Sequence, residues 1–547
     1  MKAFFTKKGV LTLSLLTLFS CDKTLEEYNP SGLTADTVYT TPEGFETLVN
    51  AAYSYQRWWY GKEEAHNIAE MGTDIWTSAS GDTDRGLSQY LNLQGTNTYL
   101  ATEWRELYAA VNLCNGGLAR IDKAGLSATL RPIREGELRF LRAFYYWHIV
   151  ETWGGVHFTT EETSGVVSTA NRTPESTFYE LIISDLLAAV DKLPATQPQY
   201  GKVTKGAAQA FLARIYLTRG MNQEALTMAQ AVIANTAYRL EPNYADLWKM
   251  SNLKTREAIY VVDYSSNLAL NDLANTTFNP YGHGRGGNNA HLLYIMKYDD
   301  RPGMVRDIPN GRPFNRYMPT RFLLDLYSTN DARYEGSFNE VWYANSTTRP
   351  AGMALGDTAV YCTRREVPDA YEATRKYQTV DRSKIYNANG TVKDGLRYPS
   401  LTKFMDPTRP SLNEAQSARD VFVIRLAEVY LIAAEAQLKL GNTQAAADYV
   451  NVLRTRAAKP GRAAAMQVNA AQMSLDFMLD ERARELAGEQ LRWFDLKRTG
   501  KLVDRIKLYS PDNAVNIQSY HTLRPIPQTQ LDAVTNKSEF TQNLGYQ

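Results

Sequence analysis

Apolar residues recur at helical spacing over most of this chain. Phe45, Leu48, Val49, Ala52 and Tyr53 follow Thr41-Pro42-Glu43-Gly44, which supplies a capping hydroxyl and a proline suited to the first helical turn. Within residues 134–150, Leu138, Leu141, Tyr145 and Ile149 form one stripe, and Phe140, Phe144 and Trp147 form another. A helix apolar on more than one face belongs deep in a fold. Trp104, Trp147, Trp153 and Trp493 lie in such patterns and are assigned to packing.

Two stretches share one pattern. Ala213, Gly220 and Ala225 lie seven and five residues apart, and Ala434, Gly441 and Ala446 repeat those intervals. Each glycine falls between two helical patterns, and each alanine lies where paired helices must approach closely. This is the signature of tetratricopeptide-like hairpins, whose stacking buries a continuous core. Residues 107–121 and 178–193 have the periodicity to supply further units. The predicted fold is mainly α, with tetratricopeptide-like helix pairs forming a right-handed scaffold, long loop-rich insertions and a few short strands.

The predicted order along the chain is a lipoprotein signal peptide (1–20), a lipid-anchored tether (21–40), an N-terminal helical region (41–260), a loop-rich, ligand-facing region (261–420) and a C-terminal helical region (421–547). The loop-rich region is marked by Gly, Asn, Pro and Tyr, as in Asn279-Pro280-Tyr281-Gly282-His283-Gly284-Arg285, with short strands such as 258–264. Loops on a rigid scaffold are where binding surfaces are usually built. At the start, Lys2, Lys7 and Lys8 precede an apolar run over 10–19, then Ser20 and Cys21, which reads as an export signal. Leu18-Phe19-Ser20-Cys21 has the form of a lipobox, making Cys21 the predicted lipidation site. Acyl chains there would anchor the protein at about 0.8 kcal/mol per buried methylene. The apolar run is too short to span a bilayer, and the apolar segment 421–440 is broken by Arg425, Glu428, Glu435 and Lys439.

Composition narrows the function. The 547 residues exceed what one core usually organises. With 60 basic against 59 acidic residues, nothing in the charge balance attracts nucleic acid. Once Cys21 is acylated only Cys114 and Cys362 remain, too few for a disulfide scaffold, and both are read as small buried hydrophobes. The six histidines form no close pair, so no metal or cofactor is expected.

Several separate motifs resemble the SusD/RagB family in order. They are the Cys21 lipobox, Arg139-Phe140-Leu141-Arg142-Ala143-Phe144-Tyr145-Tyr146 with Trp153-Gly154-Gly155, Pro319-Thr320 with Asp331-Ala332-Arg333, and Arg425-Leu426-Ala427-Glu428 with Ala434-Glu435-Ala436. Then follow Glu481-Arg482-Ala483-Arg484-Glu485-Leu486, Arg492-Trp493-Phe494-Asp495, Leu523-Arg524-Pro525-Ile526-Pro527 and Asn543-Leu544-Gly545-Tyr546. The resemblance covers essentially the whole mature chain. It implies a helical scaffold whose loops build a ligand face, and anchoring in the outer membrane facing the cell exterior. It also implies delivery of an oligosaccharide or peptide to a TonB-dependent SusC-like transporter.

Glu481, Glu485 and Glu489 share a helical face at a spacing that suits a retaining glycosidase pair. Their neighbours argue otherwise. Opposite charges three residues apart pair Glu481 with Arg484, Arg482 with Glu485, Glu489 with Arg492 and Asp495 with Arg498, and nearby cations strip a general acid of its proton. A structural ion-pair network is therefore expected, and no catalysis. A sugar site asks only for an aromatic face and hydrogen-bonding groups. The candidates are Asp74, Trp76, Tyr90, Tyr281 with His283 and Arg285, Asn288, and Trp342 with Tyr343. The competing readings are a lipid-anchored glycoside hydrolase and a tetratricopeptide-like scaffold that binds only protein.

Overall fold

The computed structural model describes residues 34–271 and 287–547. Cys21, the signal segment, Tyr281, His283 and Arg285 lie outside the described residues. The first long helix, Pro42–Ser54, starts as its sequence dictates: the Thr41 hydroxyl accepts the Gly44 amide at 3.2 Å, and Phe45, Leu48, Val49 and Ala52 are buried.

Helices Thr98–Arg120, Leu130–Trp153, Glu175–Lys192, Lys205–Thr218 and Asn222–Ile233 then pack each on the next. Both apolar stripes of Leu130–Trp153 are used, since every residue over 140–153 is buried. The charged groups carried inside by that burial have partners, while the Trp147 Nε1 and the Thr152 hydroxyl have none among the described residues. Arg142 donates to Asp185 at 2.7 Å and to Asn115 at 3.0 Å, tying this helix to its neighbours on both sides.

The second repeat, Leu426–Lys439 with Thr443–Ala457, packs directly against Asn222–Ile233, so the helical stack continues across some two hundred intervening residues. In both repeats the glycine makes the turn with a left-handed backbone, φ 73° at Gly220 and 86° at Gly441. The four repeat alanines are fully buried. Arg214 joins the hairpins, donating to Glu428 at 2.7 Å and to the Val423 carbonyl at 2.9 Å.

An antiparallel ribbon closes the neck of the insertion. β2 (Ala258–Val262), where the chain leaves the stack, pairs with β9 (Val421–Arg425), where it returns, from Ala258 opposite Arg425 to Val262 opposite Val421. With its ends tied, a long insertion adds little closure entropy, which grows only logarithmically with length. The insertion, together with residues 71–79 and the end of helix Leu475–Leu486, builds a second hydrophobic core. Trp76, Leu292, Leu293, Tyr294, Met296, Tyr317, Met318 and Trp342 belong to it. Its strands run to five residues at most: β1 (Trp76–Ser78) with β3 (Tyr317–Pro319), β4 (Phe338–Asn339) with β8 (Ser400–Leu401), and a sheet of β5 (Val341–Tyr343), β6 (Thr358–Cys362) and β7 (Gln378–Val380).

Cys114 and Cys362 are buried free thiols, each pushed up in pKa by burial and so unreactive as nucleophiles. Among the described residues no helix is long and apolar enough to cross a membrane.

Candidate ligand-binding cleft

Five of the candidate residues are internal. Asp74 is fully buried and accepts Arg492 at 2.7 Å and Arg505 at 2.8 Å. Burial alone would raise its carboxyl, but these two guanidiniums hold it below the usual range. Trp76 lies in the second core with its indole N–H on Glu70 at 2.9 Å. The Tyr90 hydroxyl donates to the Gly72 carbonyl at 2.6 Å, and its ring packs on His521. Asn288 donates to the Arg419 carbonyl at 2.8 Å and accepts the Ala290 amide at 2.9 Å. Trp342 is on the inward side of β5 and 2% exposed, whereas its neighbour Tyr343 is 57% exposed. These side chains were expected on a ligand face; Trp76 and Trp342 are taken up by the second core, Tyr90 by the core of the helical stack, Asp74 by ion pairs and Asn288 by backbone hydrogen bonds.

The carboxylates of helix Leu475–Leu486 and the turn after it form the expected ion-pair network, with partners drawn largely from far along the chain. Glu481 accepts Arg333 at 2.9 Å, Arg454 at 2.7 Å and Arg484 at 2.7 Å. Glu485 accepts Arg333 at 2.9 Å and Arg425 at 2.7 Å, as well as Arg456. Glu489 accepts Lys403 at 2.8 Å and Arg425 at 2.7 Å. Two expected pairs are exchanged: Arg482 goes to Asp495 at 2.6 Å, not Glu485, and Arg492 goes to Asp74, not Glu489. Burial would raise Glu481 and Glu485, but the guanidiniums around them hold both well below the carboxylate range. A carboxyl held ionised this way has no proton to give a leaving group.

A cleft lies where the helical stack meets the neck ribbon. It encloses about 380 Å³ between the end of helix Pro42–Ser54, the turn Gln56–Trp59, the loop 199–202 and the end of β2. Gly201 lets that loop close down: its φ is 82°, and a Cβ there would lie 3.1 Å from the Asp263 Cβ. Tyr200 is 37% exposed, fixed by donating to the Leu253 carbonyl at 2.9 Å. It separates this cleft from a second of about 230 Å³ that reaches Gln197, Thr204 and Tyr238.

Polar groups line the larger cleft. Lys202 donates to Asn50 at 3.0 Å and sits 4.1 Å over the Tyr53 ring, and burial lowers its pKa. Arg57 donates to the Asp263 carbonyl at 2.8 Å and the Leu270 carbonyl at 3.1 Å. Gln56 is 2% exposed; its side-chain oxygen accepts the Tyr260 hydroxyl at 2.7 Å, while its Nε2 has no partner among the described residues. Leaving a buried donor unpaired costs about 1–3 kcal/mol, a cost that an incoming acceptor removes. Beside the floor, Asp420 accepts the Tyr264 amide at 2.9 Å; burial and the neighbouring Asp263 carboxylate raise it to about 7.

This arrangement offers a ring face, amides and cations. The sequence reading did not select Tyr200, Gln56, Arg57 or Asp263. Its one legible sign was Gln199-Tyr200-Gly201, an aromatic residue in a turn between two helical patterns.

Residues 257–546 match a family model described as SusD family, more than half the chain. The chain belongs to the SusD family. A second model, described as starch-binding associating with outer membrane, matches residues 27–217. SusD-like protein P25 of Formosa agariphila is 25% identical over 561 residues, covering 98% of each chain. Among solved structures, a laminarin binding SusD-like protein superposes with a TM-score of 0.71 at 22% identity, over 92% of this chain and 100% of its own. Surface glycan-binding protein A from Bacteroides thetaiotaomicron in complex with laminarihexaose gives 0.69 at 22% identity, over 92% and 99%. These likenesses fix the SusD fold. Proteins of the SusD family bind and do not catalyse, in keeping with carboxylates locked in ion pairs.

Proposed function

We propose that this chain is a surface glycan-binding lipoprotein, held by acyl chains on Cys21 in the outer membrane, that passes oligosaccharide to a TonB-dependent SusC-like transporter. The carrying observation is the cleft at Tyr200, whose lining combines a partly exposed ring with the buried Gln56 Nε2, a donor with no partner among the described residues. A sugar ring has an apolar C–H face that suits the tyrosine, and its hydroxyls suit the amide and the cations around it. The SusD-family match supports this reading, as do the starch-binding description of the second model and the laminarin and laminarihexaose named for two structures of like fold. Calorimetric titration of the mature protein with a panel of soluble oligosaccharides is the test. Saturable binding to at least one member is expected, and no heat from any member would overturn the proposal.

A further inference from the structure

The outward face of β5 borders a different concavity. Tyr343 forms part of a cavity of about 310 Å³ together with helix Arg333–Ser337, β4 and the turn after β6. A neighbouring cavity of about 340 Å³ shares Glu335, Phe338 and Asn339 with it, so the two make one trough along β4. None of these residues lines the Tyr200 cleft.

The lining carries two guanidiniums and two carboxylates, and Lys459 on Glu335 leaves the cations one ahead. Glu340 is saturated by the Tyr334 hydroxyl at 2.5 Å, the Thr363 hydroxyl at 3.1 Å and the Arg364 amide at 3.0 Å. Glu335 is paired with Lys459 at 2.5 Å. Arg364 stacks 3.8 Å over the Tyr334 ring and donates to the Leu324 and Tyr327 carbonyls, and among the described residues no carboxylate bonds its guanidinium. The Arg365 side chain lines the same cavity, is exposed, and has no partner among the described residues. Two guanidiniums thus face a concave wall that also carries an exposed aromatic ring.

We infer that this trough is a second saccharide seat, separate from the Tyr200 cleft, and that it takes sugars bearing a carboxylate or sulfate. The sugar ring stacks on Tyr343 and the anionic substituent meets Arg365. A guanidinium presents parallel donors that match a planar carboxylate or a sulfate edge, and tyrosine accepts the apolar face of the same sugar. An exposed ion pair by itself contributes little, so the ring and the concave wall are both required for useful affinity.

The test uses the full mature chain, titrated with polygalacturonate for carboxylate, dextran sulfate for sulfate and plain dextran as the neutral control. Parent protein is compared with Tyr343→Ala, Arg365→Gln and Tyr200→Ala, with folding checked by circular dichroism. At least one anionic polymer is expected to bind more tightly than dextran. Tyr343→Ala and Arg365→Gln should each weaken that binding about tenfold. Arg365→Gln should also flatten its dependence on salt, while Tyr200→Ala leaves it intact. The inference is overturned if neither anionic polymer binds better than dextran, if both substitutions leave the affinity unchanged, or if Tyr200→Ala alone removes the binding.

Discussion

Asp420 shows how one side chain couples the cleft to its surroundings. Its carboxyl is raised to about 7, against about 3.9 for an unfolded aspartate. Between those two values the native state keeps a proton that the unfolded state has lost, so this group makes stability fall as pH rises from 4 to 7. Glu481 and Glu485, held low by their guanidiniums, act in the opposite sense: the stability they contribute is present above about pH 4.3 and is lost as pH falls below it. Asp420→Asn retains an acceptor for the Tyr264 amide and cannot titrate. Its stability relative to the parent should therefore rise between pH 5 and pH 8 in urea denaturation, and parallel profiles would remove Asp420 as the cause. Sequence is weakest at this scale. Asp74 and Asn288 are hydrogen-bonding groups in any reading, yet only the packed chain shows that Arg492, Arg505 and the Arg419 carbonyl already hold them.

Elements made of local pattern were legible. The repeated Ala-Gly-Ala spacing located both hairpins because close helix packing needs small side chains at fixed intervals and a left-handed residue at the turn. Nothing lies within 4 Å of a Cβ placed on Gly441, so Gly441→Ala isolates backbone strain from steric clash. It should destabilise the protein by about 1 kcal/mol, read as a lower urea midpoint with an unchanged slope. The second core was not legible. Strands of two to five residues carry no readable period, and their partners are distant in sequence, as Trp76 opposite Pro319 illustrates. That is why Trp76 and Trp342 passed as loop aromatics while Tyr343, one residue further on, is the exposed ring.

For the whole molecule, the ordered motifs pointed to the SusD family because they mark interactions spread over the chain. Arg333, Arg425 and Glu485 come from three separate motifs and meet in one buried network. The same network ties the insertion to the C-terminal helices, while the neck ribbon leaves the Tyr200 cleft open at the junction. Anchoring belongs to this scale too. Cys21→Ser should shift the protein from the detergent phase to the aqueous phase on Triton X-114 partition of whole cells, and unchanged partition would exclude acylation at that position. The most direct test of the account compares calorimetric titrations of parent protein and Tyr200→Ala with the oligosaccharide that the parent binds. The account predicts an affinity about tenfold weaker in the variant at an unchanged unfolding midpoint, and equal affinities would contradict it.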